Sequence, residues 1–118
     1  MSNKRKQGGL EAEVLGCLWD RPEGLTSQQI LAMLGDDDLA ITTVLTVLSR
    51  LSDKGFVNRE QASGRTFLFR ASQSREQHTA AILTAAMENS QNPDEVFSHF
   101  VAQLPKALVD SLKKALGY

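Results

Sequence analysis

Apolar residues return along this chain with two different spacings, and the switch between them organises it. Leu10, Val14, Leu15, Leu18 and Trp19 paint one face of a helix over residues 10–20. Asp20-Arg-Pro-Glu-Gly24 then breaks that helix. Thr26-Ser-Gln-Gln29 is a capping-box pattern, in which a threonine oxygen and a glutamine side chain satisfy each other's backbone N–H. It opens a short second helix, roughly 26–34, carrying Ile30, Leu31 and Leu34, with Gly35 as its stop. The third helix is the most legible. At ~100° per residue, Ile41, Val44, Leu45, Val47, Leu48 and Leu51 fall on one side. Thr42, Thr43, Thr46, Ser49, Arg50, Asp53 and Lys54 fall on the other. The pattern predicts a buried branched-aliphatic face, and opposite it a face of small hydroxyls and long cations. Gly55 ends the helix.

After Gly55 the period shortens to two. Residues 56–60 and 65–70 are rich in β-formers, and Gln61-Ala-Ser-Gly64 joins them as a turn, so a two-stranded hairpin is expected. Phe67 and Phe69 share one of its faces, toward the helices. Ser74-Arg-Glu-Gln77 is a second capping box, opening a helix to about Asn89 with Ala80, Ile82, Leu83, Ala86 and Met87. Asn92-Pro93 begins another, with Val96, Phe97, Phe100, Val101 and Leu104 as its stripe. Pro105 begins the last, with Leu108, Val109, Leu112 and Leu116, and Gly117 closes it.

Three helices followed by a hairpin is the order of a winged helix-turn-helix, in which the helix before the wing enters the major groove. The fold class expected is mainly α (α+β). A winged domain spans 8–72, a helical dimerisation region spans 73–118, and 1–7 is a basic flexible arm. The last forty-odd residues cannot easily bury their own stripes. Ile82, Val96, Phe97, Phe100, Val101, Leu104, Leu108, Leu112 and Leu116 therefore want a partner surface. The winged domain of the same chain is one candidate. A second copy is preferred, because such recognition helices usually work in pairs on two-fold operators.

Composition narrows the class. The 118 residues are 42% hydrophobic and 23% charged, ordinary for a folded protein and too apolar for a disordered one. No apolar run approaches the ~20 residues of a membrane span. No signal-peptide core follows Lys4, Arg5 and Lys6. The single cysteine, Cys17, excludes an internal disulfide and a multi-cysteine metal site, and reads as a small core residue. A cytoplasmic protein is expected. The net charge of -1 conceals a pattern. Residues 7–38 are strongly acidic, with Arg21 alone against seven carboxylates. Residues 39–75 carry Arg50, Lys54, Arg59, Arg65, Arg70 and Arg75 against Asp53 and Glu60. A basic middle and a basic arm suit a polyanion, although solvated surface charge would look the same.

The candidate chemistry is DNA reading. Thr42, Thr43 and Thr46 let a backbone approach base edges and can bond either base type or pack a methyl on thymine. Arg50 can take guanine O6 and N7, or a phosphate. Arg65, beside Gly64 at the wing tip, can reach a phosphate or the minor groove. Each has a plainer reading: solvent-facing threonines, or an Arg50–Asp53 ion pair. Arg59 is a weaker DNA candidate. His78 and His99 are isolated and read as structural or surface residues, not ligands. Asp36-Asp37-Asp38 reads as a solvated connector, and Met33 and Met87 as core filler. No nucleophile–base pair, phosphate loop or metal-ligand spacing appears, so no enzyme, cofactor or metal is expected. A winged-helix protein-interaction module without sequence-specific DNA binding is the competing reading.

Ala40-Ile-Thr-Thr-Val-Leu-Thr-Val-Leu-Ser-Arg-Leu51, Lys54-Gly-Phe-Val57, Arg59-Glu60, Gly64-Arg65 and the opening Leu10-Glu-Ala-Glu-Val-Leu…Leu-Trp19 resemble the penicillinase repressor (BlaI/MecI) family, to which the copper-responsive CopY repressors are related. The resemblance covers roughly residues 8–116. It implies a homodimeric transcriptional repressor with double-stranded DNA as its partner, bound at a palindromic operator with TACA-like half-sites. By position it implies that Thr42, Thr43, Thr46 and Arg50 touch DNA and that Arg65 lies on the wing. It also implies a regulatory protease as partner, cutting at the bond aligned with His99-Phe100, where histidine stands in place of the family's asparagine. Ile41 stands where many relatives have tyrosine. The cysteine pairs of the copper-responsive relatives are absent, so direct copper sensing is not expected.

Overall fold

The computed structural model describes residues 8–118; the arm read at 1–7 lies outside the described residues. The elements run α1 (Gly9–Asp20), α2 (Ser27–Leu34), α3 (Ile41–Asp53), β1 (Val57–Gln61), β2 (Phe67–Ala71), α4 (Arg75–Glu88), α5 (Pro93–Ala102) and α6 (Lys106–Ala115). They divide into two compact units, the first ending at His78 and the second covering Thr79–Tyr118, so the division falls inside α4.

The first unit has the expected order of three helices and an antiparallel hairpin. Its core is aliphatic. Val14 and Leu18 from α1, Ile30 from α2, and Val44, Leu48 and Leu51 from α3 are all but fully buried, and Val57 and Phe69 close the cluster from the hairpin. Cys17 is part of it. Burial, and then the carboxylates of Asp20 and Glu13, push its thiol pKa up, so the group sits there neutral. The capping box at α2 forms: Gln29 N–H donates to Thr26 Oγ1 at 3.2 Å, and Thr26 N–H donates to Gln29 Oε1 at 2.8 Å. Gly35 ends α2 with φ +64, a left-handed conformation that glycine adopts without a steric penalty. Lys54, just past α3, donates to both carboxylate oxygens of Glu11 at 2.9 and 3.0 Å, tying α3 to α1.

The hairpin pairs Val57 with Ala71 through Gln61 with Phe67. Leu25 adds a third, one-residue rung: its N–H donates to Phe69 O at 3.0 Å and its carbonyl accepts from Phe69 N–H at 2.8 Å. The start of α2 is thereby fastened to the base of the wing. No sequence period announces a strand one residue long.

Two side chains depart from the expected core. Leu45, placed on the buried face of α3, is 43% exposed. Met33, read as core filler, is 40% exposed. In α2 the buried direction lies between Ile30, Leu31 and Leu34, and Met33 falls on its far margin. In α3 the buried arc is narrower than the apolar arc, and Leu45 lies at its edge.

In the helices after the hairpin the caps again follow the sequence. Ser74 and Gln77 form the reciprocal box that opens α4, with Gln77 N–H to Ser74 Oγ at 3.0 Å and Ser74 N–H to Gln77 Oε1 at 2.9 Å. Asn92 caps α5 by accepting from Glu95 N–H at 3.2 Å, and Pro93 takes the first helical position. None of α4, α5 or α6 contains a fully buried residue. Ile82, Val96, Phe97, Phe100, Leu108 and Leu116 are all at least 41% exposed, and Val101, Leu104 and Leu112 are half-buried.

Candidate nucleic-acid interface

The stretch before α3 sets where that helix begins. Asp36 forms a side-chain turn, accepting from Asp38 N–H at 3.0 Å, while its carbonyl accepts from Leu39 N–H at 3.1 Å. The three aspartates are thus a turn, and Leu39 anchors the connector to the core. From Ala40 the helix is pinned by Val44, Val47, Leu48 and Leu51, each no more than 5% exposed. Thr42, Thr43, Thr46, Ser49, Arg50 and Asp53 are exposed. The apolar grip on one side therefore presents the hydroxyl-and-arginine face on the other.

The hydroxyls on that face are not equivalent. Thr46 Oγ1 donates to Thr42 O at 2.9 Å, which occupies its proton and leaves its lone pairs to accept. Thr42 and Thr43 keep both capacities, since no described residue engages their hydroxyls.

The structure also sorts the six cations of residues 39–75. Lys54 is paired with Glu11. Arg70 is paired with Glu60 across the hairpin. Arg59 lies over the Phe67 ring, 4.8 Å from its centroid. Arg75 lies 5.0 Å from the Trp19 ring centroid and pairs with Asp20 at 3.8 Å. Among the described residues Arg50 and Arg65 have no such partner, and the Arg50–Asp53 pair is not formed. Arg65 follows Gly64, whose φ of +58 makes the hairpin turn, closed by Ala62 N–H to Thr66 O at 2.9 Å.

One open recess joins helix and wing. It is walled by Leu45 from α3, by Ser27 and Gln28 from the start of α2, and by Arg65, Thr66 and Phe67 from the wing. The third helix and the wing arginine thus border one surface. Sequence reasoning missed Leu45 as part of it. The signal was available, because Leu45 is only ~40° around the helix from Ser49.

The remaining sequence candidates lie elsewhere. His78 packs edge-on against Phe56 at 4.6 Å between ring centroids and tilted against Trp19 at 5.5 Å, a structural role. Trp19 Nε1 donates to Gln73 O at 2.9 Å, a bond within the first unit. His99 and Phe100 are exposed, and their shared bond lies inside α5. The described residues contain no His, Cys, Asp or Glu cluster able to hold a metal, and no helix long and apolar enough to cross a membrane.

The family profile described as Penicillinase repressor matches residues 7–117. The chain belongs to the penicillinase repressor family. Two relatives named transcriptional regulator BlaI, from Mycobacterium tuberculosis strains CDC 1551 / Oshkosh and ATCC 25618 / H37Rv, are each 32% identical over 121 residues, covering 99% of this chain and 87% of theirs. A solved structure of MepR, a transcription regulator of the Staphylococcus aureus multidrug efflux pump MepA, superimposes with a TM-score of 0.51 over 90% of this chain and 72% of that one, at 22% identity. That likeness shows the winged fold. This member of the penicillinase repressor family is a DNA-binding transcriptional repressor and not an enzyme.

Proposed function

We propose that two copies of this repressor, joined through their Thr79–Tyr118 helices, bind a palindromic operator with α3 of each copy in a major groove. Thr42, Thr43, Thr46 and Arg50 read base edges, and Arg65 on the wing holds the flanking backbone. The dimer occludes a promoter until released. The observation that carries this reading is the two-sidedness of α3: the side opposite Val44, Val47, Leu48 and Leu51 stays open, and it carries one of the two cations of residues 39–75 that the described residues leave unpaired. A helix with short hydroxyls and one such arginine fits a groove about 12 Å wide. The half-exposed stripes of α5 and α6 support a second copy as the dimer partner. Release by a regulatory protease would act at His99–Phe100, and α5 must first unwind to present that bond.

The test is binding to the DNA upstream of the protein's own gene. Arg50→Ala should lose about 1–3 kcal/mol of discrimination between operator and scrambled duplex, with an unchanged melting curve. Thr46→Ala should relax the preference at one base pair per half-site. If both variants bind the operator as wild type does, α3 is not the reader. Affinity should also fall steeply with salt as counterions are released; a protein that ignores duplexes at low salt would instead be an interaction module.

A further inference from the structure

Leu45 is the anomaly of α3. The other large aliphatic residues of its middle, Val44, Val47, Leu48 and Leu51, are buried, whereas Leu45 is 43% exposed on the flank of the hydroxyl face. It does not close the core, and it forms one wall of the open recess shared with Gln28 and Arg65. A leucine there gives up the favourable burial its side chain would gain elsewhere. It can neither donate nor accept a hydrogen bond, so it can read only one feature of a major groove, the C5-methyl group of thymine. Thymine methyls stand at the side of the groove, beside their own strand's sugar. A residue on the flank of a groove-inserted helix faces that wall, while the centre of the face, Thr42 and Thr46, meets the hydrogen-bonding edges.

We propose that Leu45 is a specificity-determining residue that packs on the methyl of one thymine in each operator half-site. The proposal rests on α3 being the reading helix. It adds a sensor for a carbon atom to a face otherwise built of hydroxyls and a guanidinium.

Replacing thymine by deoxyuridine removes that methyl and leaves every hydrogen-bonding group in place. The probe is a duplex that the wild-type protein selects from a random-sequence pool, with each thymine exchanged in turn. Wild type should lose about four-fold in affinity per half-site at one thymine position. Leu45→Ala should bind the thymine duplex more weakly and no longer distinguish the two duplexes at that position. Leu45→Met, which keeps an apolar tip of similar volume, should retain the distinction. Equal melting temperatures of the three proteins exclude a folding explanation. The proposal is overturned if no thymine is methyl-sensitive in wild type, or if the sensitivity survives unchanged in Leu45→Ala. Should Arg50→Ala and Thr46→Ala remain as selective as wild type, the underlying assignment of α3 falls. Loss of selectivity in those two with persistent methyl sensitivity in Leu45→Ala removes Leu45 alone.

Discussion

The winged unit and the C-terminal helices draw on the same aliphatic alphabet with opposite results. In the first, Leu18, Ile30, Leu48 and Leu51 disappear from solvent to within 1%. In the second, an equally regular stripe leaves Phe97 and Phe100 each 42% exposed, Leu108 52% and Leu116 65%. The caps do not distinguish the two, because side-chain caps form at both Thr26 and Asn92. Local signals therefore bring helices into being in both regions, whereas only the first finds cover for them within its own residues. Amphipathic spacing states that a face needs covering, and it is silent on whether the cover belongs to the same molecule.

The contrast can be broken experimentally. The largest effect should come from Leu18→Ala, which empties a fully buried site and should cost about 3 kcal/mol. Chemical denaturation should show the same loss at every protein concentration, because the core is intramolecular. Phe97→Glu places a charge on the second unit's stripe and should cost about 2 kcal/mol or more, felt only in self-association. Sedimentation velocity should then show a lighter species with an intact first unit. A Phe97→Glu protein as associated as wild type would remove α5 from the proposed dimer contact. Smallest, Thr26→Ala deletes half of the α2 capping box and should cost about 1 kcal/mol, seen as a modest fall in melting temperature.

Much of this was legible in the sequence because it rests on short-range rules. Thr26–Gln29, Ser74–Gln77 and Asn92–Pro93 announce helix starts through backbone satisfaction three residues away. The segregation of α3 announces its buried side. The resemblance of residues 40–65 to the penicillinase repressors announces the fold and the family. What was not legible depends on distant partners. The Leu25–Phe69 rung joins residues far apart in the chain and leaves no period behind. Met33 and Leu45 sit at the edges of apolar arcs, where a helical wheel places a residue by angle but cannot weigh how far the neighbouring helices reach. The division of the cations into engaged and unengaged likewise needed three dimensions. Glu11 lies well upstream of Lys54, and nothing in the local run of charges indicates that Lys54 is occupied while Arg50 is not.

Cys17 carries one more consequence. It is the chain's one sulfhydryl, shielded inside the first unit and kept in its unreactive protonated form. An alkylating reagent should reach it faster during moments when α1 comes away from its neighbours. The repressor thus contains a native stopwatch for such openings, and the labelling half-time, timed with and without duplex, reports how firmly DNA holds the protein shut.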